Sequence, residues 1–316
     1  MKTFLMAALV AGLFVGTANA QTKSYEIMAP AAPGGGWDQT ARAMQDALQT
    51  EKIASSVQVV NVPGAAGTIG LAQFASDAAG KPDALIVGGY VMVGGILTNQ
   101  SPTTLADVTP IARLTGEYEA LVVPAASDIK TFADLAAKLK ADPGAVTWGG
   151  GSAGGTDHIT AGLIAKGLGV DPTTVNYIAF SGGGEALAAI LGGQLTVGIS
   201  STGEFEAQIK AGALRALAVS APAPIAGIDA PTLKDEGLNV EVQNWRMVAA
   251  APGITPEQKA TISADIETMV KSAKWQELLK TRGWSDTYLS GEAFDKQLQA
   301  DIESTTVILK DIGLVQ

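Results

Sequence analysis

Residues 150–154, Gly150-Gly151-Ser152-Ala153-Gly154, match the G-x-S-x-G pattern that places a nucleophilic serine between a strand and a helix. Acyl transfer by such a serine also needs an acid and then a histidine later in the chain, so that the histidine can accept the serine proton. The single histidine, His158, lies on the adjacent predicted helix, just after Ser152. Both the order and the reach are wrong for a catalytic triad, so the motif is a weak indication of a hydrolase.

The same glycine run, residues 149–154, also satisfies G-x-G-x-x-G, the pattern of a dinucleotide-binding loop. That interpretation requires an acid at the end of the next strand, but the strand ends in Ala179-Phe180-Ser181. No G-K-[ST] follows any glycine loop, so no phosphate-binding P-loop is predicted. A metal site is unsupported, because one histidine and no cysteine leave only isolated carboxylates near the loops: Asp38, Asp157 and Glu185.

An earlier loop, Pro33-Gly34-Gly35-Gly36-Trp37-Asp38, is better suited to binding than to catalysis. It follows a predicted strand and opens a predicted helix, whose first N–H groups and dipole favour an anion. Glycines let a ligand approach the backbone, and an aromatic ring in such a loop is costly to expose unless it covers something. The loop predicts an anion-binding site that includes Gly35, Gly36, Trp37 and Asp38.

Apolar runs alternate with helix-period segments along most of the chain, which predicts parallel sheets with helices on both faces. The predicted strands are 25–29, 57–62, 84–88, 120–123, 146–148, 175–180, 196–200, 214–219 and 240–250. The predicted helices are 38–48, 68–79, 131–139, 156–168, 184–191, 204–210, 257–280 and 292–310. Strands are expected to stop near residue 250 and helices to complete the chain, which would make one domain discontinuous.

Four predicted strands end in glycine clusters, at residues 34–36, 63–67, 149–155 and 181–184. Ligands bind at the carboxyl ends of the strands in open α/β sheets, so two clusters from each half of the chain predict a cleft between them. Ser152, Thr156 and Ser181 stand at predicted helix starts, where a hydroxyl can either bind an anion or cap the helix.

The N-terminus and the composition indicate an exported protein. Lys2, the apolar run 4–15 and Ala18-Asn19-Ala20 predict a signal peptide at residues 1–20, cleaved after Ala20, and a periplasmic location. The remaining chain is long enough for two domains. A formal net charge of −10 argues against nucleic acid and against anionic lipid as partners.

Several segments in a fixed order resemble the extracytoplasmic solute-binding proteins of tripartite tricarboxylate transporters, the TctC or Bug family. The matching segments are 33–38 with Ala41-Arg42, 61–67 with Ile69-Gly70, 151–155 with His158, 181–186, 192–194, 210–220, Trp245-Arg246 and 251–254. The resemblance implies a type II periplasmic-binding-protein fold, in which two doubly wound α/β lobes are joined by a two-strand hinge at 118–123 and 244–249. Lobe 1 would comprise 21–120 and 248–316, and lobe 2 would comprise 121–247.

The resemblance also implies a function without catalysis or a cofactor: a monomer binds a small carboxylate and delivers it to membrane permease subunits. Loops 32–38 and 151–156 would hold the carboxylate, partly through waters, with 181–184 and Ser200-Ser201-Thr202 on the far side. Arg246 could hold a second carboxylate through its bidentate guanidinium, whereas Arg42 is expected to pair locally. The predicted ligand-binding residues are Gly35, Gly36, Trp37, Asp38, Ser152, Gly154, Thr156, Ser181, Gly182, Ser201 and Arg246.

Two features bear on the ligand. Leu195-Thr196 stands where many family members have Val-Asp, which removes a carboxylate that could face an ammonium, although the position could equally be structural. Trp37 after three glycines resembles the tricarboxylate-binding branch. Both favour a citrate-like tricarboxylate or a C4–C6 dicarboxylate. The alternatives are a ligand sensor for a two-component system on the same fold, or an enzyme on a doubly wound fold.

Overall fold

The computed structural model describes residues 23–181 and 183–316, so the predicted signal peptide and Gly182 lie outside the described residues. The strands are β1 (Ser24–Ala29), β2 (Ser56–Asn61), β3 (Ala84–Gly89), β4 (Thr109–Pro124), β5 (Thr147–Gly150), β6 (Asn176–Ala179), β7 (Val197–Ser201), β8 (Leu214–Val219), β9 (Gln243–Ala250) and β10 (Ser285–Ser290). The helices are α1 (Gly36–Thr50), α2 (Thr68–Asp77), α3 (Tyr90–Thr98), α4 (Phe132–Ala141), α5 (Thr156–Gly167), α6 (Gly183–Leu191), α7 (Thr202–Lys210), α8 (Pro256–Val270), α9 (Ala273–Arg282) and α10 (Gly291–Asp311).

The strands form one mixed sheet in the order β2-β1-β3-β9-β4-β7-β5-β6, with β8 and β10 also paired to β4. Strands β1, β2 and β3 are parallel to one another, and β5 is parallel to β6 and β7. Strand β9 is antiparallel to β3 and β4, and β4 is antiparallel to β7, so these two long strands separate the two parallel groups. The predicted α/β alternation is confirmed, with antiparallel strands at its centre.

Strand β4 is shared by the two halves of the sheet. Its residues 109–118 pair with β9, and part of the same stretch pairs with β10. From Glu119 onward it pairs with β7 and β8 instead. The partners therefore change between Tyr118 and Glu119, close to the predicted hinge. The division into lobes at 120/121 and 247/248 stays a prediction.

Helix α3 and the first half of β4 were not among the predicted elements. The α3 sequence, YVMVGGILT, is apolar on all sides and so lacks the 3.6-residue periodicity of a half-exposed helix. Its two glycines allow close packing: a Cβ on Gly94 would lie 1.9 Å from the Gly154 carbonyl oxygen, and one on Gly95 would lie 2.5 Å from Ala66 Cβ. Helix α3 thus touches glycine loops from both halves of the chain.

The prediction that strands cease near residue 250 is wrong, because β10 pairs antiparallel with β4. Its sequence, SDTYLS, is short and mostly polar, so it carries no strand-like apolar run. The predicted helix 257–280 is two helices, because Ser272 Oγ accepts a hydrogen bond from Trp275 N (3.2 Å) and caps a new helix. Within the described ranges, no helix combines the length and apolarity needed to cross a bilayer.

Candidate ligand-binding site

All four glycine clusters meet at one cavity of about 160 Å³ at the carboxyl ends of β1, β2, β5 and β6. Its walls carry both glycine-rich backbone and polar side chains. From the β1–β3 side the lining residues are Pro30, Ala31, Ala32, Gly35, Gly36, Trp37, Pro63, Gly64, Ala65, Ala66, Gly67 and Val91. From the other side and from β9 they are Gly151, Ser152, Gly155, Thr156, Asp157, Ser181, Gly183, Ser200, Ser201, Glu204, Asn244 and Arg246.

Most of the predicted ligand-binding residues come together at this cavity. Those in its lining are Gly35, Gly36, Trp37, Ser152, Thr156, Ser181, Ser201 and Arg246. Asp38 and Gly154 lie behind the lining, and Gly182 is outside the described residues. Ser200 also lines the cavity, but Thr202, the first residue of α7, does not. The contact of each residue with a ligand stays a prediction.

Asp38 shapes the first loop instead of facing the cavity. Its Oδ2 accepts hydrogen bonds from Gly34 N (2.8 Å) and Arg42 Nε (2.9 Å), and its Oδ1 accepts one from Asn61 Nδ2 (2.9 Å). Burial raises the pKa of Asp38, but hydrogen bonds from Arg42, Gly34 and Asn61 outweigh burial and hold the pKa below its usual 3.8. The predicted local pairing of Arg42 is confirmed.

Replacing Asp38 with alanine should destabilise the protein by about 1–3 kcal/mol, because the hydrogen bonds from Gly34 N and Asn61 Nδ2 to its buried, charged carboxylate are lost. The depressed pKa means that the contribution of Asp38 is present above its unfolded pKa of 3.8 and is lost as the pH falls through the folded pKa. Urea unfolding at pH 7 measures the change. Asp46→Ala, on the same helix but half exposed, is the control and should change stability by less than about 0.5 kcal/mol. Equal losses of stability in both variants would show that the hydrogen bonds of Asp38 do not stabilise the first glycine loop.

Gly36 and Trp37 are each packed against a residue from another segment. A Cβ on Gly36 would lie 2.3 Å from Arg246 Nη1, so the absence of a side chain leaves room for the guanidinium. The Trp37 ring packs on Gly67, where a Cβ would lie 2.6 Å from ring atom Cζ3. The ring therefore joins the first two glycine loops and forms part of the cavity wall.

Arg246 is tied to the protein by its own ion pair. Its Nη2 donates to Glu117 Oε2, its Nη1 donates to Thr40 Oγ1 (3.3 Å), and its Cζ lies 5.7 Å from the Trp284 ring centroid. The Arg246 and Glu117 side chains are each only 4% exposed. Burial raises the pKa of Glu117, while the nearby Arg246 lowers it. The positive charge at the cavity wall is thus compensated from within the fold.

The start of α5 forms part of the opposite wall of the cavity. Thr156 is fully buried in the cavity wall, and its hydroxyl makes no hydrogen bond to any described residue. The next residue, Asp157, accepts a hydrogen bond from Gly151 N (2.6 Å), which folds the loop back on the helix. Gly154 has a positive φ of 73° and packs on Thr98 of α3, which explains its place behind the lining.

The histidine after the G-x-S-x-G motif has a structural position. His158 Nδ1 accepts a hydrogen bond from Gly154 N (3.3 Å), and the imidazole stacks on Tyr177 with ring centroids 4.1 Å apart. Burial lowers the pKa of His158 to about 4, so the ring is neutral. No hydrogen bond joins it to Ser152 among the described residues. His158 is therefore held at the glycine loop by Gly154, and no hydrogen bond or ion pair joins it to the adjacent Asp157 in the described part of the chain.

A protein-family model and several solved structures match this chain. The family model described as the tripartite tricarboxylate transporter family receptor, TctC, matches residues 40–314. The chain belongs to this family. TctC proteins are periplasmic solute-binding proteins, so the resemblance noted in the sequence is confirmed.

Individual relatives agree with the family match. BugT of Bordetella pertussis is 27% identical over 318 residues, which cover 96% of this chain and 96% of BugT. A solved TctC solute-binding protein from Polaromonas has a TM-score of 0.68 and 27% identity, covering 92% of this chain and 99% of that one. An R. palustris protein solved with adipate has a TM-score of 0.82 and 21% identity, with coverage of 93% and 99%. These likenesses confirm the periplasmic-binding-protein fold.

Sequence reasoning missed several polar residues of this TctC cavity. Asp157, Glu204 and Asn244 line it, and Glu117 and Glu119 of β4 lie buried beside it. One signal was available: Glu117 and Glu119 alternate in a strand that is otherwise apolar, GEYEALVV, which indicates two acids on one buried face. Asn244 precedes Arg246 by the same two-residue spacing on β9.

The departure at Leu195-Thr196 has a structural explanation. Leu195 packs against Gly149, where a Cβ would lie 2.1 Å from Leu195 Cδ1. Thr196 Oγ1 accepts a hydrogen bond from Thr147 N (3.2 Å), and neither residue lines the cavity. The absence of an acid at this position therefore carries no information about an amino group on the ligand.

Proposed function

We propose that this TctC-family protein binds a small carboxylate, a citrate-like tricarboxylate or a C4–C6 dicarboxylate, in the cavity between its glycine loops. The observation that carries the proposal is the buried Thr156 hydroxyl, which lines the cavity at the start of α5 and has no partner among the described residues. A buried hydroxyl without a partner is costly, and an anion would satisfy it.

Helix geometry supports the same chemistry. Helices α1, α5 and α6 all begin at cavity residues, Gly36, Thr156 and Gly183, so their N-terminal dipoles favour negative charge there. In the part of the chain that the structure describes, no side chain caps α1 or α5. The fold also accommodates such ligands, as the R. palustris protein with adipate illustrates for that protein.

The family match supports delivery of the ligand to the permease of a tripartite tricarboxylate transporter. We propose that the protein does this as an exported monomer. Closure of two lobes about β4 and β9 would enclose the ligand before delivery. A sensor role on the same fold remains the second candidate. Deleting the neighbouring permease genes separates them: uptake of the carboxylate is lost if the protein serves transport, whereas a transcriptional response that persists supports sensing.

Thermal unfolding with citrate, malate and adipate tests the ligand class. A ligand that binds only the folded state stabilises it by RT ln(1 + [L]/Kd), about 2.7 kcal/mol at one hundred times Kd. At least one carboxylate should raise the melting temperature, while NAD and a simple ester should not. A shift with NAD or the ester and none with any carboxylate would contradict the proposal.

Gly36→Ala should reduce or abolish that carboxylate-induced shift, because the new methyl group displaces the Arg246 guanidinium at the cavity wall. Overpacking of this kind should also cost about 1–3 kcal/mol of stability. Gly144→Ala is the matched control, since Gly144 lies in an exposed turn outside the cavity lining and, among the described residues, its Cβ would meet only Asp142 Oδ1 at an ordinary 3.5 Å. The control should keep the ligand response. An unchanged carboxylate-induced shift of the melting temperature in Gly36→Ala would show that the first glycine loop is not part of the ligand site.

A further inference from the structure

Glu119 is a fully buried acid directly behind the cavity wall. Its Oε1 accepts a hydrogen bond from Ser201 Oγ (3.4 Å), but its Oε2 is buried and receives no hydrogen bond from a described donor. An ionised carboxylate oxygen in that position would be strongly destabilising. Glu119 therefore needs a proton or a cation.

The group facing Glu119 is another carboxyl, that of Asp157, which lies within hydrogen-bonding reach. No ion pair among the described residues includes either acid. Two carboxyls in contact without a cation cannot both be ionised at low cost, so at least one proton resides between them.

The other charged and titratable neighbours strengthen this conclusion. Glu117 on β4 and Glu204 on α7 are both acids, and Tyr177 on β6 faces the pair. The nearby guanidinium of Arg246 is bound by Glu117. Burial, together with Asp157, raises the pKa of Glu119 well above its usual value. Burial is also the largest cause that raises the pKa of Asp157 to about 6.

Asp157 connects this buried pair to the cavity. It lines the cavity beside Thr156, while its Oδ2 accepts the Gly151 N–H. An anion bound at the start of α5 would thus stand beside a carboxyl that gains its proton near neutral pH.

We propose that Glu119 keeps a proton and donates a hydrogen bond through it to ionised Asp157. When a carboxylate ligand binds, Asp157 takes up a second proton from solvent. Protonated Asp157 then donates a hydrogen bond to the ligand. Asp157 is in this way a ligand contact, and Glu119 is a positioning residue that keeps Asp157 oriented and partly neutralised. The inference rests on the proposed carboxylate site and adds that binding consumes a proton.

The sign of the pH dependence follows from the charges. A bound anion disfavours ionised Asp157 and raises its pKa, so the complex holds more protons than the free protein. Affinity should be highest below about pH 6, the pKa of free Asp157, and should fall as the pH rises above it. One linked proton limits the fall to about tenfold per pH unit.

Calorimetric titration of the full chain with citrate, malate and adipate, at pH 7 in two buffers of different ionisation enthalpy, measures the proton uptake directly. Binding of the carboxylate should be accompanied by the uptake of a substantial fraction of one proton by the complex. Binding without proton uptake would overturn this inference while leaving the proposed function intact. If none of the three carboxylates binds, the proposed function fails and this inference fails with it.

Substitutions of Asp157 and Glu119 test whether this pair of acids takes up the proton. Asp157→Asn should bind without proton uptake and with an affinity that hardly changes between pH 6 and 8, exceeding the wild-type affinity at pH 8. Glu119→Gln should leave the proton uptake and its pH dependence close to wild type, because a neutral amide replaces the protonated carboxyl and can still donate to Asp157. Glu119→Ala removes that hydrogen bond, and because the bond lowers the pKa of Asp157, its loss should move the pH dependence to higher pH. The exposed Glu26→Gln on β1 is the control and should keep the wild-type uptake. Wild-type uptake in Asp157→Asn would place the proton on the ligand and refute the assignment, even if Glu119→Gln does not fold.

Discussion

Replacing Arg246 with methionine is expected to destabilise the protein by about 3–5 kcal/mol at pH 8, because Glu117 is left as an uncompensated buried charge. Without the guanidinium, the already raised pKa of Glu117 rises further. The stability contribution of a carboxyl with a raised pKa is fully present below its unfolded pKa and is lost as the pH rises through the folded pKa. The loss in the variant should therefore be larger at pH 8 than at pH 5, as measured by urea unfolding.

The double variant Glu117→Gln/Arg246→Met separates the ion pair from the packing of the side chains. Removing both charges should recover most of the lost stability, since a buried pair contributes little net free energy compared with uncharged groups of similar size. A double variant as unstable as Arg246→Met would show that packing on Gly36 and Trp284, and not the unpaired Glu117, accounts for the effect.

Replacing Thr156 with valine is expected to weaken carboxylate binding by roughly tenfold to one hundredfold, which corresponds to about 1.5–3 kcal/mol for a hydrogen bond to a charged group. Stability should not fall, because the Thr156 hydroxyl has no partner to lose among the described residues. Isothermal titration with the best of the three carboxylates, together with urea unfolding, measures both effects.

The adjacent turn of α5 offers a control with the opposite expectation. Thr160 is fully buried, and its hydroxyl donates to the Thr156 carbonyl oxygen (2.8 Å). Thr160→Val should cost about 1 kcal/mol of stability and leave the affinity unchanged. If both variants lose stability and neither loses affinity, the Thr156 hydroxyl is not part of the ligand site.

Local sequence patterns predicted the framework of the site well. Strands followed by glycine clusters are local signals, and all four clusters do meet at one cavity. The pattern did not explain why each glycine is needed. Gly36 accommodates Arg246 and Gly94 accommodates the Gly154 carbonyl, contacts that join residues far apart in the chain.

Elements whose environment is set by tertiary contacts were the ones that sequence reasoning missed. Helix α3 is apolar on all sides and lacks periodicity, and β10 forms because β4 offers a partner, not because of its own composition. The acids beside the cavity were missed for a related reason. Glu117 and Glu119 are tolerated in β4 only because Arg246, Ser201 and Asp157 face them from other elements.

The most direct test of the account is a crystal structure of the protein with the carboxylate that gives the largest thermal shift. We expect a carboxylate oxygen that accepts a hydrogen bond from Thr156 Oγ1, directly or through one water, with a carboxylate also bound at the start of α1. A ligand bound outside the cavity, or one inside it that leaves the Thr156 hydroxyl without a partner, would contradict the account.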